Sequence, residues 1–331
     1  MTNPDVIIAA DVGTVNMRLG IVHPGADLHE PVIQDLHVQE TPQDKDEFLG
    51  TLVHGVLDLA QTYGTESAVI ALPGKVIRRP GEPTLIGPMP HVEGLQDARN
   101  VDVLDLLSSV HPAMGDLVKL VLNNAEAGAH YLPTLLDRPC NETMLFYVSH
   151  GLGVGGDGIL DGKTLRDHGY PAEIGHAPYT YILPEAQMHR GTGMSPRRTK
   201  HSDIHATLDN RVSAAKIAQR VASRSTAIGT IDEAIEHGSP IRWQQVGREL
   251  GRGLAPLVAV FGMSDIVIGG PLARAKKLYG AAIKPEIECS VAPAAEHVID
   301  VPEVHFVPED LLETVGLLGT YHAAKRHKVI S

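Results

Sequence analysis

Two adjacent amides, Asn123 and Asn124, are the residues whose position best suggests chemistry. They follow the apolar residues 118–122, which predict a buried strand, so both amides stand at a strand end. A carboxamide donates and accepts hydrogen bonds, but it is not a base near neutral pH. The pair can therefore hold a polar group of a ligand, while Asn124 cannot remove a proton from it.

A second candidate site is a Glu–His pair within residues 169–176, which read Gly-Tyr-Pro-Ala-Glu-Ile-Gly-His. The carboxylate of Glu173 can accept two hydroxyl protons, and the imidazole of His176 offers a complementary donor or acceptor. This combination suits a polyol such as a sugar. An isolated Glu–His pair usually lies at the surface without a function. Here its place in the chain after the other motifs favours sugar binding.

Three glycine turns could hold phosphate. Residues 11–14 read Asp-Val-Gly-Thr between two apolar runs, which predicts a strand, a tight turn and a returning strand. Backbone amides of such a turn can cradle a phosphate, with Asp11 orienting hydrated Mg²⁺ beside it. Residues 151–156 are rich in glycine, and residues 269–271 read Gly-Gly-Pro after an apolar strand. Each of the three could also be a plain structural turn.

The elements that must position these residues fall into two α/β halves. Each half opens with strands around a glycine turn and continues with helices of amphipathic spacing. This order predicts a duplicated actin-like (ribonuclease H-like) ATPase fold, an α/β fold of two domains with a cleft between them. We expect a smaller N-terminal domain over residues 1–122, completed by a C-terminal helix over 311–327, and a larger domain over residues 123–310.

Composition narrows the class of protein. The chain has 331 residues, is 43% hydrophobic and carries a formal net charge of -12, which suits large globular domains and disfavours nucleic acid and anionic membranes as partners. Its 2 cysteines, Cys140 and Cys289, are too few for a disulfide framework. We find no pattern of a signal peptide or of a membrane-spanning run, so we expect a cytoplasmic protein.

Taken in order, these motifs resemble the ROK family of sugar kinases (repressors, open reading frames, kinases), from Ile7 to about His327. In that family an Asn–Asp pair grips a sugar hydroxyl and removes its proton, so Asn124 stands where the catalytic base is expected. The resemblance implies that the sugar is bound by Pro73, Gly74, Asn123, Glu173 and His176. It also implies a Mg-ATP site, with Asp11 holding Mg²⁺ through water, made by Asp11, Gly13, Thr14, Gly151, Gly153, Gly269 and Gly270.

The sequence departs from the family pattern in its phosphate turns. Thr14 and Val15 replace a Gly and a Thr of the first turn, and Leu152 removes a hydroxyl from the second. The loss of the base at Asn124 is the third departure. Nearby residues that could replace the base are Glu126, His130 and His150.

The family's usual structural zinc is also not expected. In the family, the histidine that matches His176 commonly binds zinc with three cysteines, but no cysteine occurs between Cys140 and Cys289. A site built from histidines alone would use His176, His189, His201 and His205, whose spacing matches no standard zinc pattern.

The sequence therefore favours ATP-dependent phosphorylation of a sugar, amino sugar or cyclitol by a divergent ROK-type kinase, which we expect to be a homodimer. The alternative is a catalytically inactive sugar-binding protein, a pseudokinase, because the sugar-facing residues match the family better than the phosphate-facing ones. A repressor is not expected, because the chain begins directly at the first strand without DNA-binding helices.

Overall fold

Two five-stranded mixed sheets form the frame of the protein. The computed structural model describes residues 5–25, 30–79, 81–139, 141, 143–170, 172–177, 207–221, 231–295 and 299–331. In chain order the strands are β1 (Ile7–Val12), β2 (Asn16–Pro24), β3 (Pro31–Glu40), β4 (Ala68–Leu72), β5 (Val76–Ile77), β6 (Leu85–Ile86), β7 (Val101–Asp102), β8 (Val118–Asn123), β9 (Met144–His150), β10 (Val154–Leu160), β11 (Lys163–Thr164), β12 (Met263–Gly269) and β13 (Glu303–Phe306).

Both large sheets are built on the same plan. The first has the order β3-β2-β1-β4-β8 and the second the order β11-β10-β9-β12-β13. Each opens with an antiparallel hairpin, β1–β2 or β9–β10, and then adds parallel strands beside the first strand of that hairpin. The central strands are buried along almost their whole length, as expected for strands covered on both faces. A small third sheet, β5-β6-β7, lies outside this plan.

Helices cover the sheets, and several begin or end at residues that commonly cap helices. Asp44 caps the first helix by accepting two backbone N–H groups, and the long helix over residues 240–261 ends at Gly262 with φ of 60°. In chain order the helices are α1 (Lys45–Tyr63), α2 (Val103–Val110), α3 (Met114–Leu117), α4 (Asn124–Leu135), α5 (Asp209–Val212), α6 (Ala214–Val221), α7 (Ile231–His237), α8 (Pro240–Phe261), α9 (Lys276–Tyr279), α10 (Ile283–Ala295) and α11 (Val315–Arg326). Within the described part of the chain, no helix combines the length and the apolar character needed to cross a membrane.

The predicted C-terminal helix begins later than expected. Residues 311–327 were predicted to be helical, but α11 starts at Val315, because Glu309–Leu311 forms a separate 3₁₀ turn ahead of it. The division of the chain into residues 1–122 and 123–310 stays a prediction, although β8 of the first sheet does run directly into α4.

Helices α4 and α11 pack against each other between the two sheets. Leu317 of α11 packs with the buried residues of the first sheet, and Leu132 of α4 packs with those of the second. Gly319 of α11 lies so close to Ala127 of α4 that an added Cβ would overlap the backbone of that residue. The two helices therefore form a close-packed middle layer.

A buried ion cluster joins the two sheets beside α4. Glu126 has a fully buried side chain and accepts hydrogen bonds from both terminal nitrogens of Arg78, with Nη1 at 3.0 Å. Arg78 follows β5 and also donates to Asp167, in the turn after β11, at 2.8 Å. The hydroxyl of Thr164 donates to Glu126 at 3.1 Å. Because an unpaired buried carboxylate is costly, these contacts fix α4 between the sheets.

Arg78→Ala should lower the free energy of unfolding by about 3–5 kcal/mol, because it leaves Glu126 and Asp167 without their cation. Arg79→Ala is the matched control, since Arg79 pairs with Glu82 at the surface and such pairs contribute little. Urea unfolding followed by circular dichroism measures both variants. If the two variants lose equal stability, the cluster does not have this role.

Candidate functional site

The carboxyl ends of three parallel strands meet at one edge of the first sheet. In the registers of β1, β4 and β8, Asp11 pairs with Ala71 and Leu72 pairs with Asn123. The turn that follows β4 therefore lies beside the start of α4. This edge brings together site residues that the sequence predicted from three separate motifs: Asp11, Pro73, Gly74, Asn123 and Asn124.

The predicted nucleotide turns of the second sheet also meet at one edge. Strands β9 and β12 run parallel, so their ends at His150 and Gly269 are neighbours. A Cβ on Gly151 would lie 3.2 Å from Pro271, and one on Gly270 would lie 2.7 Å from the carbonyl oxygen of His150. Gly270 also has φ of 80°, so a glycine is required where this turn passes close to His150. The two turns form one continuous surface.

The first turn of α4 connects the two edges. Asn124, half-buried, is the first residue of the helix. The Cβ of the next residue, Ala125, lies 3.3 Å from the position that a Cβ on Gly155 of β10 would take. On the same strand, the carbonyl oxygen of Val154 lies against Gly175, within the turn that carries the Glu–His pair. The start of β10 therefore contacts both predicted parts of the sugar site.

Asn123 has a structural role that the sequence prediction missed. Its Oδ1 accepts the N–H of Ala125 at 2.9 Å, and its backbone N–H donates to Glu126 at 3.2 Å, which completes a capping box. Its Nδ2 donates to the carbonyl oxygen of Gly74 at 2.6 Å. The amide of Asn123 therefore fixes the helix start and the neighbouring turn, and has one N–H left for a ligand.

Asn124 makes no side-chain hydrogen bond to any described residue, so its amide can face a ligand. Two of the residues proposed to replace its missing base are already engaged. Glu126 is paired with Arg78, and the ring of His150 contacts the carbonyl oxygen of Val212 at 2.6 Å and a tyrosine hydroxyl at 3.1 Å. Burial lowers the pKa of His150 to about 4, against a smaller upward effect of that carbonyl. Neither residue is placed to act as the base.

Asp11 lies at the end of β1, opposite Arg18 of β2. Burial raises the pKa of Asp11 to about 6, which Arg18 opposes and Glu313 reinforces. Nε of Arg18 donates to Glu313 at 2.9 Å, and Gly316 at the start of α11 comes so close that a Cβ there would overlap the Asp11 carboxylate. The carboxylate is mostly ionised at neutral pH, and carboxylate oxygens are the ligands that Mg²⁺ prefers, so this corner fits a hydrated Mg²⁺.

The two residues of the Glu–His pair differ in their surroundings. Glu173 accepts a hydrogen bond from Nη2 of Arg166 at 3.2 Å, and buried Arg166 also lies 3.3 Å from the carboxylate of Asp157. His176 ends a 3₁₀ turn and is exposed. The carboxylate is therefore oriented by a buried cation, while the imidazole can reach a ligand from solvent.

A carboxylate lies at the second predicted phosphate turn. Oδ1 of Asp209 accepts the N–H of Val154 at 2.6 Å, and the N–H of Gly151 is bound to the carbonyl oxygen of Gly153 at 2.9 Å. Burial raises the pKa of Asp209, although the Val154 N–H and His176 act in the opposite direction. Two amides of the turn are thus engaged inside the protein, and a negative group lies where phosphate was predicted.

Sequence reasoning missed four charged residues around the site: Arg18, Arg78, Arg166 and Asp209. A usable signal existed for Arg18, because a tight hairpin pairs it with Asp11. The histidines at 189, 201 and 205 and the basic run around them lie outside the described residues.

Comparisons with known proteins agree on the fold. The ROK family model matches residues 7–327, and a search of curated proteins finds no match. Among solved structures, a ROK family glucokinase from Streptomyces griseus in complex with glucose and AMPPNP aligns with a TM-score of 0.68 and 19% identity, covering 97% of this chain and 99% of that one. A ROK hexokinase from Thermus thermophilus aligns with a TM-score of 0.66 and 20% identity, over 98% and 99% of the two chains.

The similar structures also include a ROK family transcriptional regulator, a homolog of the E. coli MLC protein. It aligns with a TM-score of 0.68 and 20% identity, covering 98% of this chain and 80% of the regulator. The likeness to all three structures confirms the predicted actin-like ATPase fold. Because the family model covers nearly the whole chain, the protein belongs to the ROK family.

Proposed function

We propose that the protein is an ATP-dependent kinase that phosphorylates a hydroxyl of a sugar, amino sugar or cyclitol, with slow turnover. The observation that best supports this is the position of β10. The start of this strand contacts Ala125, beside the amide pair, and Gly175, beside the Glu–His pair. Two motifs far apart in sequence are therefore neighbours, as a shared acceptor site requires. The glucokinase with a similar fold was solved with glucose and AMPPNP bound, which agrees with this choice of ligands.

The acceptor side of the site has complementary polar groups. Glu173, oriented by Arg166, would accept hydroxyl protons, and exposed His176 would donate or accept beside it. Asn124 would hydrogen-bond the attacking hydroxyl without removing its proton. Asn123 and the turn at Gly74 would form the wall of the pocket.

The nucleotide side fits Mg-ATP less completely. Asp11 fits as a ligand of hydrated Mg²⁺, which when bound neutralises charge on the transferred phosphoryl group. At the second turn, the carboxylate of Asp209 accepts the N–H of Val154, so this amide is not available to a phosphate. The remaining residues proposed to hold the nucleotide are Gly13, Thr14, Gly151, Gly153, Gly269 and Gly270.

Loss of the base slows such a reaction more than it prevents it. Phosphoryl transfer passes through a loose transition state, so positioning of the hydroxyl supplies much of the rate. General-base catalysis typically contributes a factor of about 10²–10⁴. We accordingly propose a weak kinase that acts in the cytoplasm as a homodimer.

A second candidate is a sugar-binding protein without turnover. The hydrogen bond between Asp209 and the Val154 amide favours it, because an anionic side chain at a phosphate turn repels ATP. The experiment that separates the two is ADP release across a panel of sugars and cyclitols, with nucleotide binding measured on the same samples. Sugar binding without ADP release or nucleotide binding would support the binder.

The acceptor site can be tested by binding alone. Glu173→Gln and His176→Ala should each weaken binding of the cognate sugar by about 1–3 kcal/mol in calorimetry, because a polar group of the bound ligand loses its hydrogen-bond partner. His168→Ala, an exposed histidine of the same segment, is the control and should bind normally. Unchanged affinity in both site variants would show that the sugar does not bind at Glu173 and His176.

Asn124→Asp tests whether Asn124 occupies the base position. A carboxylate there should raise ATP-dependent phosphorylation by up to about 10²–10⁴-fold, which an ADP-release assay detects. Asn100→Asp adds the same charge at an exposed turn and should leave the rate unchanged. A fast wild-type enzyme that is slowed by Asn124→Asp would show that another group is the base.

Asp209→Asn tests whether the carboxylate at the second turn opposes nucleotide. The variant keeps the shape of the side chain and removes its charge, so affinity for AMPPNP should rise by roughly tenfold at low salt and by less at high salt. Asp161→Asn, exposed in the same half of the protein, is the control. Equal affinity of wild type and Asp209→Asn at both salt concentrations would contradict this effect.

A further inference from the structure

Three side chains from three separate elements converge beside α4. His130 belongs to α4, Asp167 to the turn after β11, and His327 to the end of α11. Each offers one nitrogen or oxygen atom, and these three atoms all lie within 4.8 Å of one another. The cluster uses none of the residues proposed to bind sugar or nucleotide.

His130 is the unusual member of this cluster. It is completely buried, and neither of its ring nitrogens has a hydrogen-bond partner among the described residues. Its ring meets that of His327 edge-on, with centroids 5.8 Å apart. Buried polar atoms without a partner are rare in folded proteins and call for a specific explanation. A bound cation would supply a partner for one of the two ring nitrogens of His130.

The other two side chains are positioned to complete a site. Oδ2 of Asp167 accepts the N–H of Thr164 at 3.2 Å, which orients the carboxylate, and Oδ1 lies 3.6 Å from Nε2 of His327. The Asp167 side chain is 15% exposed and that of His327 is 30% exposed. A buried ligand, a half-buried ligand and a solvent-accessible ligand together give an ion both a binding site and a path of access.

We propose that His130, Asp167 and His327 bind one divalent first-row transition-metal ion, for which Zn²⁺ is the best match. Two imidazoles and one carboxylate form a ligand set that suits Zn²⁺, with water at the fourth position. Zn–ligand bonds of about 2.0–2.1 Å place neighbouring ligand atoms roughly 3.3 Å apart, so atoms that lie within 4.8 Å of one another need to approach by at most about 1.5 Å. No cysteine takes part, so this site is distinct from the thiolate site that the sequence lacks.

The positive charge of Arg78 lowers the affinity that we expect for Zn²⁺. Arg78 donates to the same Asp167 oxygen at 2.8 Å, and a cation so close weakens the binding of another. We therefore expect micromolar affinity for Zn²⁺, below that of a thiolate site. The ion would tie α4 to α11 and to the second sheet about 9 Å along the helix from Asn124, at a rise of about 1.5 Å per residue.

The test is Zn²⁺ titration of chelator-treated, full-length protein by calorimetry, together with the absorption spectrum of the Co²⁺ form. Wild type should bind one Zn²⁺ per chain with micromolar affinity, and Co²⁺ should give the visible bands of imidazole coordination. His327→Ala and Asp167→Asn should each lower the affinity by more than about tenfold, since loss of even an outer-shell partner costs about that much. The exposed position of His327 makes its variant the safest to fold, and melting curves check both variants.

Two controls assign the binding to this cluster. His168→Ala removes an exposed histidine next to Asp167, and replacement of His189, His201 and His205 together removes three histidines that lie outside the described residues. Both variants should bind as wild type does. The proposal fails if wild type shows no saturable binding, if His327→Ala and Asp167→Asn bind normally, or if binding is lost when His189, His201 and His205 are replaced. One Zn²⁺ per chain at this cluster would also replace the sequence prediction of no structural zinc.

Discussion

The buried carboxylate of Glu126 is the constraint on which the rest of the site depends. It accepts the backbone N–H of Asn123, two nitrogens of Arg78 and the hydroxyl of Thr164. Through these contacts one side chain sets the start of α4 and ties it to both sheets. In an interior of low dielectric constant such a network is strong when every member is satisfied and costly when one is missing. The position of Asn124, the first residue of α4, is therefore fixed by the charge pair of Glu126 and Arg78.

The two sides of the cleft differ in the charged side chains that surround the proposed site residues. On the proposed acceptor side, Glu173 is held by the buried cation Arg166, and Asn124 remains free of side-chain hydrogen bonds within the described residues. On the proposed nucleotide side, Asp11 and Asp209 are both acidic, and Arg18 is the cation beside Asp11. If ligands bind at these residues as proposed, this balance of charge favours neutral polyols over polyphosphates unless a divalent cation accompanies the phosphate.

Local features of the sequence predicted the frame well. Apolar runs and the turns after them predicted the β1–β2 hairpin, the strand that ends at Asn123 and the strand that ends at Gly269, because such signals need only neighbouring residues. The capping box could also have been predicted, since Asn at the cap with Glu three residues later is a local pattern. The contacts of Arg78 with Asp167 and of Val154 with Asp209 span 89 and 55 residues and depend on how the sheets are arranged. No local pattern encodes them.

The close approach of Gly319 to Ala127 has a consequence for other members of the family. The spacing of two packed helices is set by the side chains at their contact, and here one helix contributes only a hydrogen atom. A relative with even a methyl group at the matching position must hold its two central helices further apart. The residue at that one position is therefore a sequence marker of how wide the middle layer is, and of how far the two sheets stand from each other across it.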